Sequence, residues 1–273
     1  MEILETGCVM EPLEVGKLAA AAAGDVLRKY FRSGLEIREK GTCDLVSDAD
    51  IEAERVIVDV IRQHFPEHNV LGEEGTQPKS LDGPLWVIDP LDGTTSFAHG
   101  IPHFATSIGF FVDRQPVASV ICNPVRNDWF TAALGRGSYW NEQRVRVSDE
   151  RHLNQTLIGL GFYYDKDVLM NSTLSAIRDL FQFEIHGIRR MGSAALDLAA
   201  VGCGMYGAFF EYILASWDFA GGILFVQEAG GRVTNCKGEP IKLERSSVLA
   251  TNGHLHPAVL DVILKNHPPE NSV

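Results

Sequence analysis

The chain has 273 residues, 45% of them hydrophobic and 22% charged, enough for one large α/β domain or two small lobes with a packed core. Its formal net charge of −12 repels nucleic-acid phosphates and anionic membrane surfaces, which argues against a nucleic-acid or membrane binder. A phosphorylated metabolite meets the same field unless a bound divalent cation reverses it locally.

The first predicted element is a helix from about Glu11 to Arg32, with Leu13, Val15, Leu18, Ala22, Val26 and Tyr30 on one face and Gly34 as a stop. A second runs from about Asp48 to Phe65, striped by Ile51, Val56, Ile57, Val60 and Ile61 and ended by Pro66. The first third is therefore expected to be helical. Leu85-Trp86-Val87-Ile88 then reads as a buried strand that ends at Asp89. Ala105–Val112, Gln115–Cys122 and Trp129–Leu134 read as antiparallel strands, with Asp113-Arg114 and Asn123-Pro124 between them. Gly135–Tyr139 and Asn141–Arg144 read as further turns of this meander.

After about Asn154 strands and helices alternate, which favours an α/β half. Strands are expected at Thr156–Phe162, Ile185–Arg190, Ala208–Glu211 and Ser247–Thr251. Helices are expected at Asp167–Phe181, Ala194–Val201, Asp218–Ala229 and Pro257–Lys265. The polar tail His267–Val273, with Pro268-Pro269, is expected to be disordered. A single domain is expected over 1–273, with approximate lobes at 12–150 and 151–266.

The five cysteines, Cys8, Cys43, Cys122, Cys203 and Cys236, are odd in number and form no C-x-x-C pair. They read as reduced thiols of a cytoplasmic protein. Glu2, Glu5 and Glu11 stand where a signal peptide needs basic residues. No apolar stretch approaches the ~20 residues of a membrane span.

Carboxylates recur at the suspected element ends: Gly72-Glu73-Glu74, Asp89-Pro90-Leu91-Asp92-Gly93-Thr94-Thr95, Phe210-Glu211 and Trp217-Asp218. Taken singly, Asp89, Asp92 and Asp218 read equally well as turn or cap residues. Taken together, crowded carboxylates stay ionised only with cations among them. Oxygen ligands without cysteine or histidine suit Mg²⁺ rather than Zn²⁺. Two such ions serve the attacking and leaving oxygens of an in-line phosphoryl displacement. A helix opening at Gly93 would offer N–H groups to the phosphate.

Gly72-Glu73-Glu74, Trp86-Val87-Ile88-Asp89-Pro90-Leu91-Asp92-Gly93-Thr94-Thr95-Ser96-Phe97 and Trp217-Asp218-Phe219-Ala220-Gly221-Gly222 resemble, in order, the motifs of the inositol monophosphatase family. The resemblance extends from about residue 12 to 266. It implies a layered αβαβα sandwich of the inositol monophosphatase and fructose-1,6-bisphosphatase type, an α+β or α/β fold. It also implies a Mg²⁺-dependent, lithium-sensitive phosphatase, often a homodimer, acting on a small phosphorylated metabolite. By the same resemblance, Glu73, Asp89 and the Leu91 carbonyl would bind one metal. Asp89, Asp92 and Asp218 would bind a second, and Glu73 would face a weaker third. Thr94, oriented by Asp50, would help Glu73 activate water. Gly93 and Thr94 would hold the phosphate beside Asp92 and Asp218. Gly192, Ser193, Ala194 and Glu211 would line the alcohol side.

Glu211 favours inositol monophosphate, because a carboxylate accepts from vicinal hydroxyls. It would also attract the amine of histidinol phosphate. Other sugar or nucleotide phosphates remain alternatives, as does a protein-binding regulatory role with weak hydrolysis. Two segments depart from the family pattern: Gly161-Phe162-Tyr163-Tyr164-Asp165, and the short stretch Lys40-Gly41-Thr42-Cys43.

Other signals carry less. Gly202-Cys203-Gly204-Met205-Tyr206-Gly207 has the spacing of a dinucleotide loop but follows a helix. His99 and His103 are separated by Gly100 and Pro102, which break a zinc-binding helix. Arg189-Arg190 suits phosphate guidance and a surface or dimer contact equally well.

Overall fold

The computed structural model describes residues 10–32, 37–41, 44–162 and 167–269. Helix α1 (Pro12–Tyr30) opens with proline in its first turn and closes with Arg28 and Lys29 in its last, both matched to the helix dipole. It buries Val15, Ala19, Ala20, Ala23, Val26 and Leu27. Strands β1 (Ile37–Gly41) and β2 (Asp44–Ser47) form an antiparallel hairpin before α2 (Asp48–His64). The first third is thus not wholly helical, as these short strands carry no long apolar alternation to announce them.

β3 (Asn69–Gly72) runs parallel to β4 (Pro84–Asp92). A five-residue helix α3 (Thr94–Ala98) follows. The meander is β5 (Ala105–Val112), β6 (Gln115–Asn123), β7 (Asp128–Ala133), β8 (Gly137–Trp140) and β9 (Gln143–Val145). Its last two members are strands where turns were expected. Asp113 and Arg114 turn the β5–β6 hairpin with φ of 48° and 64°, the left-handed pair of a tight two-residue hairpin.

The second half comprises β10 (Leu157–Leu160), α4 (Val168–Phe181), β11 (Gly187–Arg189), α5 (Ala194–Gly202) and β12 (Ala208–Leu214). It ends with α6 (Ser216–Glu228), β13 (Arg232–Thr234), β14 (Ser246–Thr251) and α7 (His256–Lys265). The glycine-rich run after α5 is the turn into β12, not a dinucleotide loop.

Among the described residues the larger strands make a seven-stranded sheet, β3-β4-β5-β6-β7-β8-β9, and a five-stranded sheet, β11-β10-β12-β14-β13. α1 and α2 cover one face of the first sheet. α5 and α6 fill the space between the sheets. α4 and α7 cover the far face of the second. This is the αβαβα layering expected. Burial on both faces explains the near-continuous apolar runs of β4 and β12.

One close approach matters for the site. A Cβ on Gly109 would stand 2.8 Å from the Ala220 carbonyl oxygen, and one on Gly221 would overlap the Ser107 hydroxyl. The Ser119 hydroxyl donates to the Gly221 carbonyl. Small residues therefore let α6 lie directly on β5 and β6, which fixes Asp218 one turn upstream. At the C-terminus the expected disorder does not reach His267, whose ring packs edge-on against Tyr212 at 5.5 Å. Residues 270–273 lie outside the described residues.

Candidate active site

The site begins with an irregularity in β4. The strand does not stop at Asp89; it continues through Pro90 to Asp92. Asp89 pairs with Ser107 and Asp92 with Ala105, so β4 carries one residue more than β5 across this interval. In a regular strand, residues three apart point to opposite faces. The extra residue restores the phase, so Asp89 and Asp92 can serve one face. Pro90 suits the bulge because it has no N–H to leave unpaired, and its carbonyl accepts from the Thr106 hydroxyl at 3.0 Å. Asp89 Oδ1 accepts the Leu91 N–H at 3.0 Å.

Asp92 is tied to the start of α5. Its Oδ2 accepts the Ser193 hydroxyl at 2.6 Å and the Ala195 N–H at 2.7 Å. Ser193 is also the N-cap of α5 and accepts from the Leu196 N–H. One hydroxyl thus caps a helix and orients a candidate ligand. Burial pushes Asp92 up to about 6, against the pull of Ser193, the α5 amides and Arg190.

Gly93 stands at φ 96°, where a Cβ would meet the carbonyls of Gly192 and His103, each at 3.1 Å. It feeds Thr94 into α3. The Thr94 hydroxyl lies 3.1 Å from the Leu91 carbonyl and 3.4 Å from Asp50 Oδ1. The expected Thr94–Asp50 contact is present, but the Leu91 carbonyl is the nearer partner. Asp50 is buried in the first turn of α2.

Glu73 follows β3 in a loop that sequence reasoning did not explain. The loop is organised by Glu54, a buried residue of α2. Glu54 accepts from the Glu74 N–H at 2.6 Å, the Thr76 N–H at 2.9 Å and the Thr76 hydroxyl at 2.7 Å. Its signal was its phase, since Glu54, Ile57 and Ile61 share the buried helix face.

Glu73, Asp89, Leu91, Asp92, Gly93, Thr94, Gly192, Ser193, Ala194, Glu211 and Asp218 all line one cavity of about 470 Å³. Asp50 stands behind Thr94 rather than in the wall. Gly161 and Phe162, part of one departing segment, also line it. Tyr163–Asp165, and Thr42 and Cys43 of the other, lie outside the described residues. Three charged wall residues, Arg190, Asp197 and Arg245, were not among the site residues expected from the sequence. Arg190, one of the pair left open above, faces the carboxylates. Asp197 is a lone carboxylate in the otherwise apolar, buried α5. That isolation was its available signal, because a helix apolar all round is a core helix.

The electrostatics are those of crowded anions. Burial first, then the charges of Glu73, Asp92 and Asp218, hold the Asp89 carboxyl well above the usual range. Burial, then Asp92 and Glu73, does the same to Asp218, whose carboxylate also accepts the Ala215 N–H at 2.7 Å. Burial pushes Glu211 up to about 8, with Arg190 pulling it down and Asp92 adding to the rise.

Among the described residues no three of these side chains close into a ready-made ligand shell. They ring the cavity, with Asp92 and Asp218 each engaged by backbone amides. The donor set is nevertheless that of a hard cation: carboxylate and carbonyl oxygens, with neither imidazole nor thiolate in the wall. The mutual repulsion is what a divalent ion would relieve. His99 and His103 take no part in the wall.

Comparison with known proteins decides the class. The sequence model of the inositol monophosphatase family matches residues 10–267. The chain belongs to the inositol monophosphatase family. It is 41% identical over 271 residues to the Nus factor SuhB of Pseudomonas aeruginosa, across 95% of this chain and 98% of that one. It is 39% identical over 259 residues to the inositol-1-monophosphatase of Rhizobium meliloti, across 94% and 97%. The solved IMPase of Thermotoga maritima superposes with a TM-score of 0.87 at 32% identity, across 94% and 98%. Membership makes this chain a phosphoric monoester hydrolase of a metal-dependent family, with a small phosphorylated molecule as its substrate class. No helix among the described residues is long and apolar enough to cross a membrane.

Proposed function

We propose that the chain hydrolyses the monophosphate of a small polyhydroxylated alcohol, inositol monophosphate first, by direct attack of water in the presence of Mg²⁺. The observation that carries this reading is the shared cavity: four carboxylates, the Gly93-Thr94 turn and Glu211 form one wall. Glu73, Asp89 and the Leu91 carbonyl would hold one ion, and Asp89, Asp92 and Asp218 another. Glu73 would face a third, weaker position. Bound Mg²⁺ supplies charge for the phosphoryl oxygens and makes water a stronger acid at neutral pH.

The chain's own groups do the rest. Glu73 takes the water's proton with the help of the Thr94 hydroxyl, which Leu91 and Asp50 orient. The Gly93 and Thr94 N–H groups bind the phosphate, as the first N–H groups of a helix have no partner within it. Gly192, Ser193, Ala194 and Glu211 receive the alcohol. In this reading water attacks directly and no phosphoenzyme forms, because the wall hydroxyls are engaged elsewhere: Ser193 donates to Asp92, and Thr94 to the Leu91 carbonyl and Asp50. Lithium inhibition and a homodimer belong to this reading. So does a reducing, cytoplasmic setting, which the free thiols of Cys122, Cys203 and Cys236 suit.

The test is a panel of monoesters (inositol 1-phosphate, histidinol phosphate, fructose 1,6-bisphosphate and a nucleotide 3′-phosphate) assayed with and without Mg²⁺. Inositol 1-phosphate should be turned over fastest, and only with the metal. Preference for the nucleotide, or equal rates in chelator, would overturn the reading. A second reading, a role through a protein partner, is favoured by the kinship to a protein named a Nus factor. A pull-down that survives loss of Asp92, with negligible turnover of every ester, would favour it instead.

A further inference from the structure

Asp197 is unexplained by the reading above. It is 2% exposed, yet its Oδ1 has no hydrogen-bond partner. A buried carboxylate oxygen without a partner is expensive, and native proteins keep such groups rarely. The other residues of the helix that carries it are Ala, Leu, Val and Gly, so an apolar residue would fit the packing. Asp197 also forms part of the cavity wall, which Glu211 and Arg190 line too.

The three charged groups act on one another. Burial first, then Asp92 and Glu211, raises the Asp197 carboxyl, and Arg190 lowers it. Tyr206, in the turn after α5, is raised first by burial and then by the charge of Asp197, with Arg189 opposing. Glu211 is itself pressed close: a Cβ on Gly161 would overlap its carboxylate, so glycine there leaves the room it occupies.

We propose that Asp197 is a specificity-determining residue: with Glu211 it forms a double acceptor on the alcohol side of the cavity, read by the hydroxyls of a polyol monophosphate. This rests on the phosphatase reading above and deepens it. The argument is one of matching donors and acceptors. A hydroxyl both donates and accepts. The wall offers the carboxyl groups of Asp197 and Glu211, each of which can accept through a C=O oxygen even when it holds a proton, and the Arg190 guanidinium to donate, so several hydroxyls find partners there. An ammonium finds the carboxylates but also meets Arg190. A second phosphate finds Arg190 but meets the two acidic groups as well.

The experiment compares Asp197→Asn and Asp197→Ala with the parent chain, all with Mg²⁺, on inositol 1-phosphate and on p-nitrophenyl phosphate, whose alcohol has no further hydroxyls. The kcat/KM ratio between the two esters should fall about tenfold, the loss of a hydrogen bond to a charged group. Inhibition by free inositol should weaken more than inhibition by inorganic phosphate. The melting temperature in chelator should stay level or rise, because the carboxylate has no partner to lose. An unchanged ratio, an equal loss on both esters, or a lower melting temperature with both esters equally affected would overturn the proposal. A parent chain that hydrolyses p-nitrophenyl phosphate but not inositol 1-phosphate would instead overturn the polyol reading on which it rests.

Discussion

The Glu54 carboxylate lies against the backbone of Gly72: a Cβ at residue 72 would stand 2.5 Å from Glu54 Oε2. A helix that packs on the first sheet thereby holds the loop that presents Glu73. Removing the carboxylate strands the Glu74 and Thr76 N–H groups. Glu54→Ala should cost about 1–3 kcal/mol for each N–H left unpaired. The Mg²⁺ needed for half-maximal turnover should rise about tenfold, as when a ligand's supporting contacts are removed. Denaturant unfolding in chelator reads the first effect and a Mg²⁺ titration of turnover reads the second.

Gly93→Ala should lose activity out of proportion to stability. The φ of 96° and the two carbonyls at 3.1 Å force strain of about 1–3 kcal/mol on any side chain there. Relief of that strain shifts the Thr94 hydroxyl away from Leu91 and Asp50. Turnover should fall by more than about tenfold while the chain stays folded at room temperature. Circular dichroism alongside steady-state rates separates the two.

Ser193→Ala should shift the acid limb of the pH–rate profile upward. The Ser193 hydroxyl is the strongest of the hydrogen bonds that lower the Asp92 pKa, which stands at about 6. Binding a cation needs the ionised carboxylate, so activity at limiting Mg²⁺ should be lost as pH falls through about 6. Without the hydroxyl that loss should begin at a higher pH. The cap is lost too, at about 1 kcal/mol. A pH profile of kcat/KM at limiting Mg²⁺ checks the shift.

Glu211→Gln should flatten the pH dependence of stability. In the fold Glu211 holds its proton up to about 8, against an ordinary value of 4.5. Between those values the folded chain binds more protons than the unfolded chain, so stability falls as pH rises. The loss begins near 4.5 and is complete above about 8. The neutral amide has no such term. Melting temperatures in chelator from pH 5 to 9 should show the variant gaining on the parent as pH rises.

The parts legible in the sequence were those written in contiguous residues. Asp89-Pro90-Leu91-Asp92-Gly93 stands together in the chain, so its grouping of carboxylates beside a glycine was visible without the fold. The buried faces of α1 and α2 follow from helical period. β1, β2, β3 and β13 were not legible, because three to five residues cannot establish an alternation. The extension of β4 past Asp89 was hidden because proline reads as a strand breaker until the bulge is seen. Glu54 and Asp197 were missed for another reason. Each is an ordinary helical carboxylate in sequence, and only packing shows that it points inward. His267 lies in a polar, proline-rich tail, and its contact with Tyr212 is set by the end of α7.

Asp89 stands among like charges, which in the proposed reading a divalent cation reconciles. Asp89→Asn removes one of those charges at the point where Glu73, Asp92 and Asp218 all act. The most direct measurement is the melting temperature of the parent and of Asp89→Asn, each in chelator and in millimolar Mg²⁺. The variant should melt at or above the parent in chelator, and Mg²⁺ should stabilise the parent but barely move the variant. An equal Mg²⁺ shift in both proteins, or a variant that melts well below the parent in chelator, would contradict the account.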